Sequence, residues 1–99
     1  MADLPVVAVI TAKPGSEKQV EEALNALLEP TRAEAGCLSY NLFVSAADPA
    51  TFITVETWRS QADLDAHLQS PHVQGALVAA GEHLAQAPGI HPLTPAGDS

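Results

Sequence analysis

Cysteine and basic residues are scarce in this sequence. Cys37 is the only cysteine among 99 residues, which excludes an intrachain disulfide and a cysteine-based zinc site. Lysine and arginine together number 4 against 12 acidic residues, so the formal net charge is −8. Because binding to nucleic acid or to an anionic membrane surface depends on basic side chains, we expect neither as a partner.

Long hydrophobic runs and familiar cofactor motifs are also missing. No stretch approaches the ~20 consecutive apolar residues that a membrane-spanning helix needs. The first ten residues, MADLPVVAVI, have neither the positively charged start nor the small-residue cleavage site of a secretory signal. We therefore expect a cytoplasmic protein. There is no GxGxxG, P-loop or GxSxG motif, so the residues themselves argue for no cofactor.

Strand and helix patterns alternate along the chain. Runs of β-branched and apolar residues that end at turn residues predict four strands, at 4–12, 37–45, 51–58 and 90–93. A helical pattern follows the first strand and another follows the third. The order β-α-β-β-α-β predicts an α+β domain of the ferredoxin-like, split βαβ type, with both helices on one face of a four-stranded antiparallel sheet. We assign residues 1–95 to this single domain and 96–99 to a frayed tail.

Turn and capping residues mark the ends of the first predicted helix. Ser16 and Gln19 have the spacing of a capping box, and apolar residues continue at helical spacing as far as Leu28. Pro30 should kink this helix or begin a new turn, because proline lacks a backbone donor. Gly36 suits the left-handed position that follows a last helical turn.

The second predicted helix is interrupted. Ser60 is a candidate N-cap for a short helix, and Ser70 followed by Pro71 is a typical N-cap and first helical residue. We therefore expect two consecutive short helices between the third and fourth strands.

Both faces of the predicted sheet are apolar. Alternate residues of the first and third strands point to opposite faces, and neither set is polar enough to face water. Two helices cover only one face. A homodimer that packs sheet against sheet, as in a dimeric α+β barrel, would cover the second apolar face.

An acidic residue on an apolar strand face requires an explanation. Glu56 and Trp58 share a face of the third strand, and a buried carboxylate is costly unless it is paired or hydrogen-bonded. One interpretation is structural, with Glu56 bound to Arg32, Arg59 or a backbone amide. The other is that Glu56 and Trp58 belong to a functional pocket.

Two histidines are candidates for proton transfer. His67 lies beside the apolar stripe of the short helix, and His72 follows Pro71 at the start of the next helix. A neutral imidazole in an apolar setting is a plausible general base near pH 7. A structural role remains the alternative for each. Together with Glu56 they could also form a metal site, but their spacing matches no zinc signature, and we predict no metal.

Several short segments resemble the antibiotic biosynthesis monooxygenase (ABM) domain family over about positions 6 to 94. They are Lys13-Pro14-Gly15, Glu34-Ala35-Gly36-Cys37 with Tyr40, Glu56-Thr57-Trp58, Ala66-His67-Leu68 and Ser70-Pro71-His72. The resemblance implies a ferredoxin-like homodimer in which each subunit holds a pocket between its sheet and its helices.

Within this family the run ETWRSQADLDAHLQSPHV is most similar to bacterial quinol monooxygenases. These enzymes oxidise hydroquinones with O₂ and need no flavin, haem or metal, so the resemblance implies an aromatic substrate, O₂ and no cofactor. It also implies that Tyr40 and Trp58 line the pocket, and that Glu56 and Asn41 orient the substrate or its neighbours. The catalytic base would be one of the two histidines, His67 or His72. The alternative is a non-catalytic dimeric module that binds an aromatic ligand or a partner protein.

Overall fold

The computed structural model describes residues 3–97 and confirms the predicted order of elements. Its strands are Leu4–Thr11 (β1), Cys37–Val44 (β2), Thr51–Trp58 (β3) and Gly89–Pro92 (β4). Its helices are Glu17–Asn25 (α1), Leu28–Arg32 (α2), Gln61–Leu68 (α3) and Pro71–Ala80 (α4), and a 3-10 turn, Gly81–His83, follows α4. The predicted tail at 96–99 lies partly outside the described residues.

The four strands form one antiparallel sheet in the order β2-β3-β1-β4. In the central pair, Val6 lies opposite Glu56 and Ala8 lies opposite Thr54, so these side chains share one face. That face is buried beneath the helices, and Val6 has no exposed surface. The fold is therefore the predicted ferredoxin-like α+β arrangement.

The two predicted serine caps between β3 and β4 are confirmed. Ser60 Oγ accepts a hydrogen bond from the backbone N–H of Asp63 at 3.2 Å, at the start of α3. Ser70 Oγ accepts one from the N–H of Val73 at 3.4 Å, at the start of α4. Ser70 Oγ also donates to the carbonyl of His67 at 2.6 Å, which ties the end of α3 to the start of α4.

The predicted capping box at the first helix is wrong. Ser16 occupies the N-cap position without a side-chain bond to the helix, and its Oγ lies instead 3.1 Å from His83 Nδ1. The helix also breaks earlier than Pro30. Because α1 ends at Asn25 and α2 begins at Leu28, the proline falls in the first turn of α2, where a missing N–H costs little.

Gly36 does not adopt the predicted left-handed conformation. Among the described residues, a positive φ occurs only at Gly15 and Gly97. Gly36 is instead needed for close packing, because a Cβ there would overlap Cβ and Cγ of Asp63. A backbone hydrogen bond also holds Gly36 close to the start of α3, because the Arg59 N–H donates to the Gly36 carbonyl at 2.9 Å.

The second face of the sheet lies away from the helices. Phe43 is 53% exposed and Val55 is 44% exposed, although both are large apolar residues within strands. Val7, Val9 and Ile53 lie on the same face and are partly exposed. Within residues 3–97, no helix is long and apolar enough to cross a membrane.

Candidate active site

A cavity lies between the buried face of the sheet and helices α1, α3 and α4. Its volume is about 70 Å³, several times the ~10–15 Å³ that one water molecule requires. Most of the wall is aliphatic. The polar side chains in the described part of the wall are Tyr40, Thr54, Glu56 and His67, and none of these wall residues is a lysine or an arginine.

Helix α3 carries His67 to the cavity. His67 follows Leu64 by three residues, so both side chains lie on the helix face that packs on the sheet, and they are 3% and 1% exposed. The imidazole packs against the Trp58 ring with centroids 4.6 Å apart, and it makes a T-shaped contact with the Tyr40 ring at a centroid distance of 5.6 Å. Aromatic packing on two sides therefore fixes the orientation of the imidazole.

Glu34 joins the two histidines. Its Oε2 lies 2.7 Å from His67 Nδ1 and 2.8 Å from His72 Nε2, although the three residues come from the loop before β2, from α3 and from α4. An ionised carboxylate only accepts hydrogen bonds, so both ring nitrogens act as donors. With its proton on Nδ1, a neutral His67 keeps Nε2 free to accept a proton. Glu34 is thus a partner that sets the tautomer of a buried histidine.

The hydrogen-bond partners of Glu56 differ from those predicted. Glu56 Oε1 accepts from Trp58 Nε1 at 2.8 Å, and Oε2 accepts from Thr54 Oγ1 at 2.5 Å. The expected arginine partners lie elsewhere. Arg59 binds Asp63 in a bidentate pair, and Arg32 donates to the Tyr40 carbonyl and to Asn41 Oδ1. The buried carboxyl group is therefore stabilised by neutral donors on its own strand face.

The Tyr40 hydroxyl is unsuited to act as a base. Burial raises its pKa well above the usual value for tyrosine, and the negative charge of Glu56 raises it further, with smaller contributions from Cys37 and Glu34. The phenol consequently stays protonated across the physiological range and can donate a hydrogen bond into the cavity.

The structure brings together some of the predicted site residues and separates others. Tyr40, Glu56 and His67 line the cavity, whereas His72 lies outside the wall and is linked to His67 through Glu34. Trp58 has no exposed surface and lies behind His67 rather than in the wall. Asn41 does not lie at the cavity, because neighbouring strand residues point to opposite faces and Tyr40 occupies the buried one.

Glu34 is the site residue to which sequence reasoning assigned no role. It precedes His67 by 33 residues and His72 by 38, so no local spacing connects them. The sequence did contain one indication of a role for Glu34. This residue belongs to the segment Glu34-Ala35-Gly36-Cys37, which carries part of the family resemblance.

Comparison with known proteins identifies the family of this chain. The family model described as "Antibiotic biosynthesis monooxygenase" matches residues 4–79. The chain belongs to the ABM family. Its ferredoxin-like fold is the fold of an ABM domain.

Relatives of this ABM domain are found in several bacteria. A candidate monooxygenase of Mycobacterium tuberculosis, Rv0793, is 36% identical over 90 residues, covering 91% of this chain and 88% of that protein. Its solved structure superposes with a TM-score of 0.86 over 99% of both chains. The Pseudomonas aeruginosa protein PA3566 gives a TM-score of 0.88 at 35% identity, covering 98% of this chain and 97% of its own.

A further relative carries a more specific name. YgiN of Escherichia coli, a candidate quinol monooxygenase, is 31% identical over 81 residues, which cover 72% of this chain and 78% of that protein. The ABM domain described here is thus related to proteins that are named as monooxygenases.

Proposed function

We propose that this protein is a cofactor-independent monooxygenase that oxidises a quinol or a related polyphenol with O₂, with His67 as the general base. The observation that carries the proposal is that His67, in the wall of an apolar cavity, is paired behind the wall with Glu34, with Nδ1 and Oε2 2.7 Å apart. The relationship to a candidate quinol monooxygenase supports the choice of substrate class.

The proposed reaction begins with removal of a proton from the hydroquinone, so it requires a base. His67 Nε2 removes a hydroxyl proton from the hydroquinone, and the resulting anion is electron-rich enough to reduce O₂. One oxygen atom enters the ring to give a hydroxyquinone, and the other leaves as water with two hydrogens from the substrate. The ring is oxidised by four electrons and O₂ is reduced by four, so the reaction balances without another reductant.

Glu34 assists the base in this scheme. When His67 takes up the substrate proton, its imidazolium carries a positive charge in a position that is 3% exposed. The nearby carboxylate stabilises that charge, as the buried acidic partner of a catalytic histidine does in hydrolases. His72 donates to the same oxygen and holds the carboxylate in place.

Tyr40 and Glu56 are proposed to orient the substrate. The protonated phenol of Tyr40 can donate to a substrate oxygen, and the Glu56 carboxylate has lone pairs beyond its two bonds to Thr54 and Trp58. The aliphatic remainder of the wall would exclude water from the reactive anion. Since no lysine or arginine lines the described wall, a phosphorylated substrate fits poorly.

A homodimer is part of the proposal. The exposed sheet face that contains Phe43 and Val55 needs a cover, and a second copy of the chain supplies the same apolar face. Light scattering coupled to size-exclusion chromatography should give the mass of two chains for the wild type and of one chain for Val55→Lys. A wild-type mass of 10.3 kDa, that of a single chain, would contradict the dimer.

Oxygen uptake with reduced menadione tests the proposed reaction, after correction for autoxidation. Metal-free wild type is compared with His67→Ala, Glu34→Gln, His72→Ala and Trp58→Ala, and with His91→Ala as a control histidine that does not line the cavity. We expect a loss of at least ~100-fold in kcat for His67→Ala, the lower end of what a general base contributes. Uptake at the autoxidation rate by every protein would contradict the enzyme, and hydroquinone binding without turnover would favour the binding module.

A further inference from the structure

The cluster of Glu34, His67 and His72 contains more ligand atoms than a general base requires. One oxygen and two ring nitrogens, contributed by three separate segments, all lie within 4.8 Å of one another. A base needs one acidic partner on the second ring nitrogen, and Glu34 already supplies it. His72, whose nitrogen converges on the same carboxylate oxygen, gives the cluster a third potential ligand.

We propose that Glu34, His67 and His72 form a binding site for a divalent transition-metal ion of the zinc type. Two imidazole nitrogens and one carboxylate oxygen are a ligand set suited to Zn²⁺ and its first-row neighbours, whereas Mg²⁺ and Ca²⁺ prefer oxygen ligands throughout. Three protein ligands leave a fourth position for water, which is the composition of an open rather than a structural zinc site.

Both access and rigidity favour this site. The side chains of Glu34 and His72 are 19% and 24% exposed, so an ion can reach them from solvent. The His67 side chain is 4% exposed and packed against Trp58 and Tyr40, so one ligand is fixed before the metal arrives. His72 is the second residue of α4 and lies at the surface, where small movements meet little resistance.

The metal would replace two hydrogen bonds. In the metal-free site the protons on His67 Nδ1 and His72 Nε2 point at Glu34, at 2.7 and 2.8 Å. Ligands of a tetrahedral zinc ion are about 3.3 Å apart, since each is about 2.0–2.1 Å from the metal. The nitrogen–oxygen pairs must therefore open by roughly half an ångström, and the two ring nitrogens, which lie within 4.8 Å of each other, must reach the same spacing. Each imidazole changes tautomer, so the proton of His67 moves to Nε2 and that of His72 moves to Nδ1.

The same atoms would serve the metal and the proposed base. A zinc ion on His67 Nδ1 takes the place of the proton that Glu34 holds there, and it withdraws electrons from the imidazole. Zinc should consequently inhibit the oxidation. This consequence rests on the proposed function, whereas the metal site itself does not.

Calorimetric titration of untagged, chelator-treated protein with Zn²⁺ tests the site directly. The wild type should bind one ion per chain, and the visible absorption of Co²⁺ in its place should show a low-symmetry site with nitrogen and oxygen ligands. His72→Gln keeps a side-chain amide that can donate to Glu34 but loses the metal ligand. We expect at least a tenfold loss of affinity for His72→Gln and for Glu34→Gln.

His91→Gln is the matched control, because it removes a histidine that lies on β4 outside the cluster. It should bind Zn²⁺ with unchanged affinity, and thermal unfolding without metal verifies that every variant is folded. Absence of stoichiometric binding would overturn the proposal. So would equal affinities for wild type, His72→Gln and Glu34→Gln, or comparable affinity for Mg²⁺. These affinity measurements require no turnover, so they test the metal site even if the protein does not catalyse the proposed oxidation.

Discussion

Replacing Glu56 distinguishes a hydrogen-bonding role from a charge role for the buried carboxyl group. Glu56 is 4% exposed and accepts one bond from the Trp58 indole and one from the Thr54 hydroxyl. Glu56→Gln can preserve both, because the amide oxygen accepts from the indole and the amide nitrogen donates to the hydroxyl. Glu56→Leu has a similar size and removes both acceptors.

The expected difference follows from the burial of the two donors. Trp58 is 0% exposed and Thr54 is 2% exposed, so water cannot replace the lost acceptors. Leaving a buried donor unsatisfied costs about 1–3 kcal/mol, and the threonine hydroxyl can rotate toward another acceptor. We therefore expect Glu56→Leu to lose about 2 kcal/mol of unfolding free energy and Glu56→Gln less than about 1 kcal/mol.

Thermal unfolding at a fixed protein concentration measures this difference. For a domain of this size, about 2 kcal/mol corresponds to a decrease in Tm of roughly 10 °C. Fixed concentration matters because association stabilises the folded state. A Glu56→Leu variant as stable as Glu56→Gln would refute the reasoning, since the two donors would then have no need of the carboxyl group.

Two further predictions concern the contact between Gly36 and α3. Gly36→Ala should lower the unfolding free energy by about 1–3 kcal/mol in urea denaturation, because the new methyl group overlaps Asp63; unchanged stability would contradict this packing. Hydrogen bonds from Arg59 and, to a smaller extent, from Ser60 lower the pKa of Asp63 in the folded protein. The ionised Asp63 carboxylate therefore stabilises the fold fully above the pKa of the unfolded carboxyl group, and this stabilisation is lost as the pH falls through the lower pKa of the folded state. The stability gap between wild type and Asp63→Asn should therefore close in acid, and a gap that is constant from pH 7 to pH 2 would contradict this assignment.

Local sequence patterns predicted the elements of the fold well, because each strand is a short run of β-branched and apolar residues bounded by turn residues. The third strand was predicted at 51–58 and is observed at Thr51–Trp58, since β-branched and aromatic residues fill it and turn residues precede it. The division between α1 and α2 was not visible, because the apolar stripe continues through Leu27 and Leu28 across the break.

The site was harder to predict because its contacts are not local. The bonds from Glu34 to His67 and His72 span 33 and 38 residues and exist only after α3 and α4 dock beside the loop before β2. The position of Asn41 away from the cavity was predictable from the sequence. Tyr40 and Asn41 are neighbours in a strand, so only one of them can face the cavity.

The partners of Glu56 were also within reach of sequence reasoning. Thr54 and Trp58 each lie two residues from Glu56 on the same strand face, and both carry a hydrogen-bond donor. The expectation of an arginine partner came from treating the carboxylate as a charge to be neutralised. A pair of neutral donors satisfies it instead, with one bond to each oxygen.

Isotope labelling shows whether the protein inserts an oxygen atom from O₂ into a quinol and whether His67 is needed for that step. Wild type and His67→Ala are incubated with reduced menadione under ¹⁸O₂, and the quinone product is analysed by mass spectrometry. We expect a hydroxyquinone that carries one ¹⁸O atom, formed by the wild type at a rate that His67→Ala lowers by at least ~100-fold. An unlabelled quinone as the sole product, or equal labelled yields from the two proteins, would contradict a monooxygenase that uses His67 as its base.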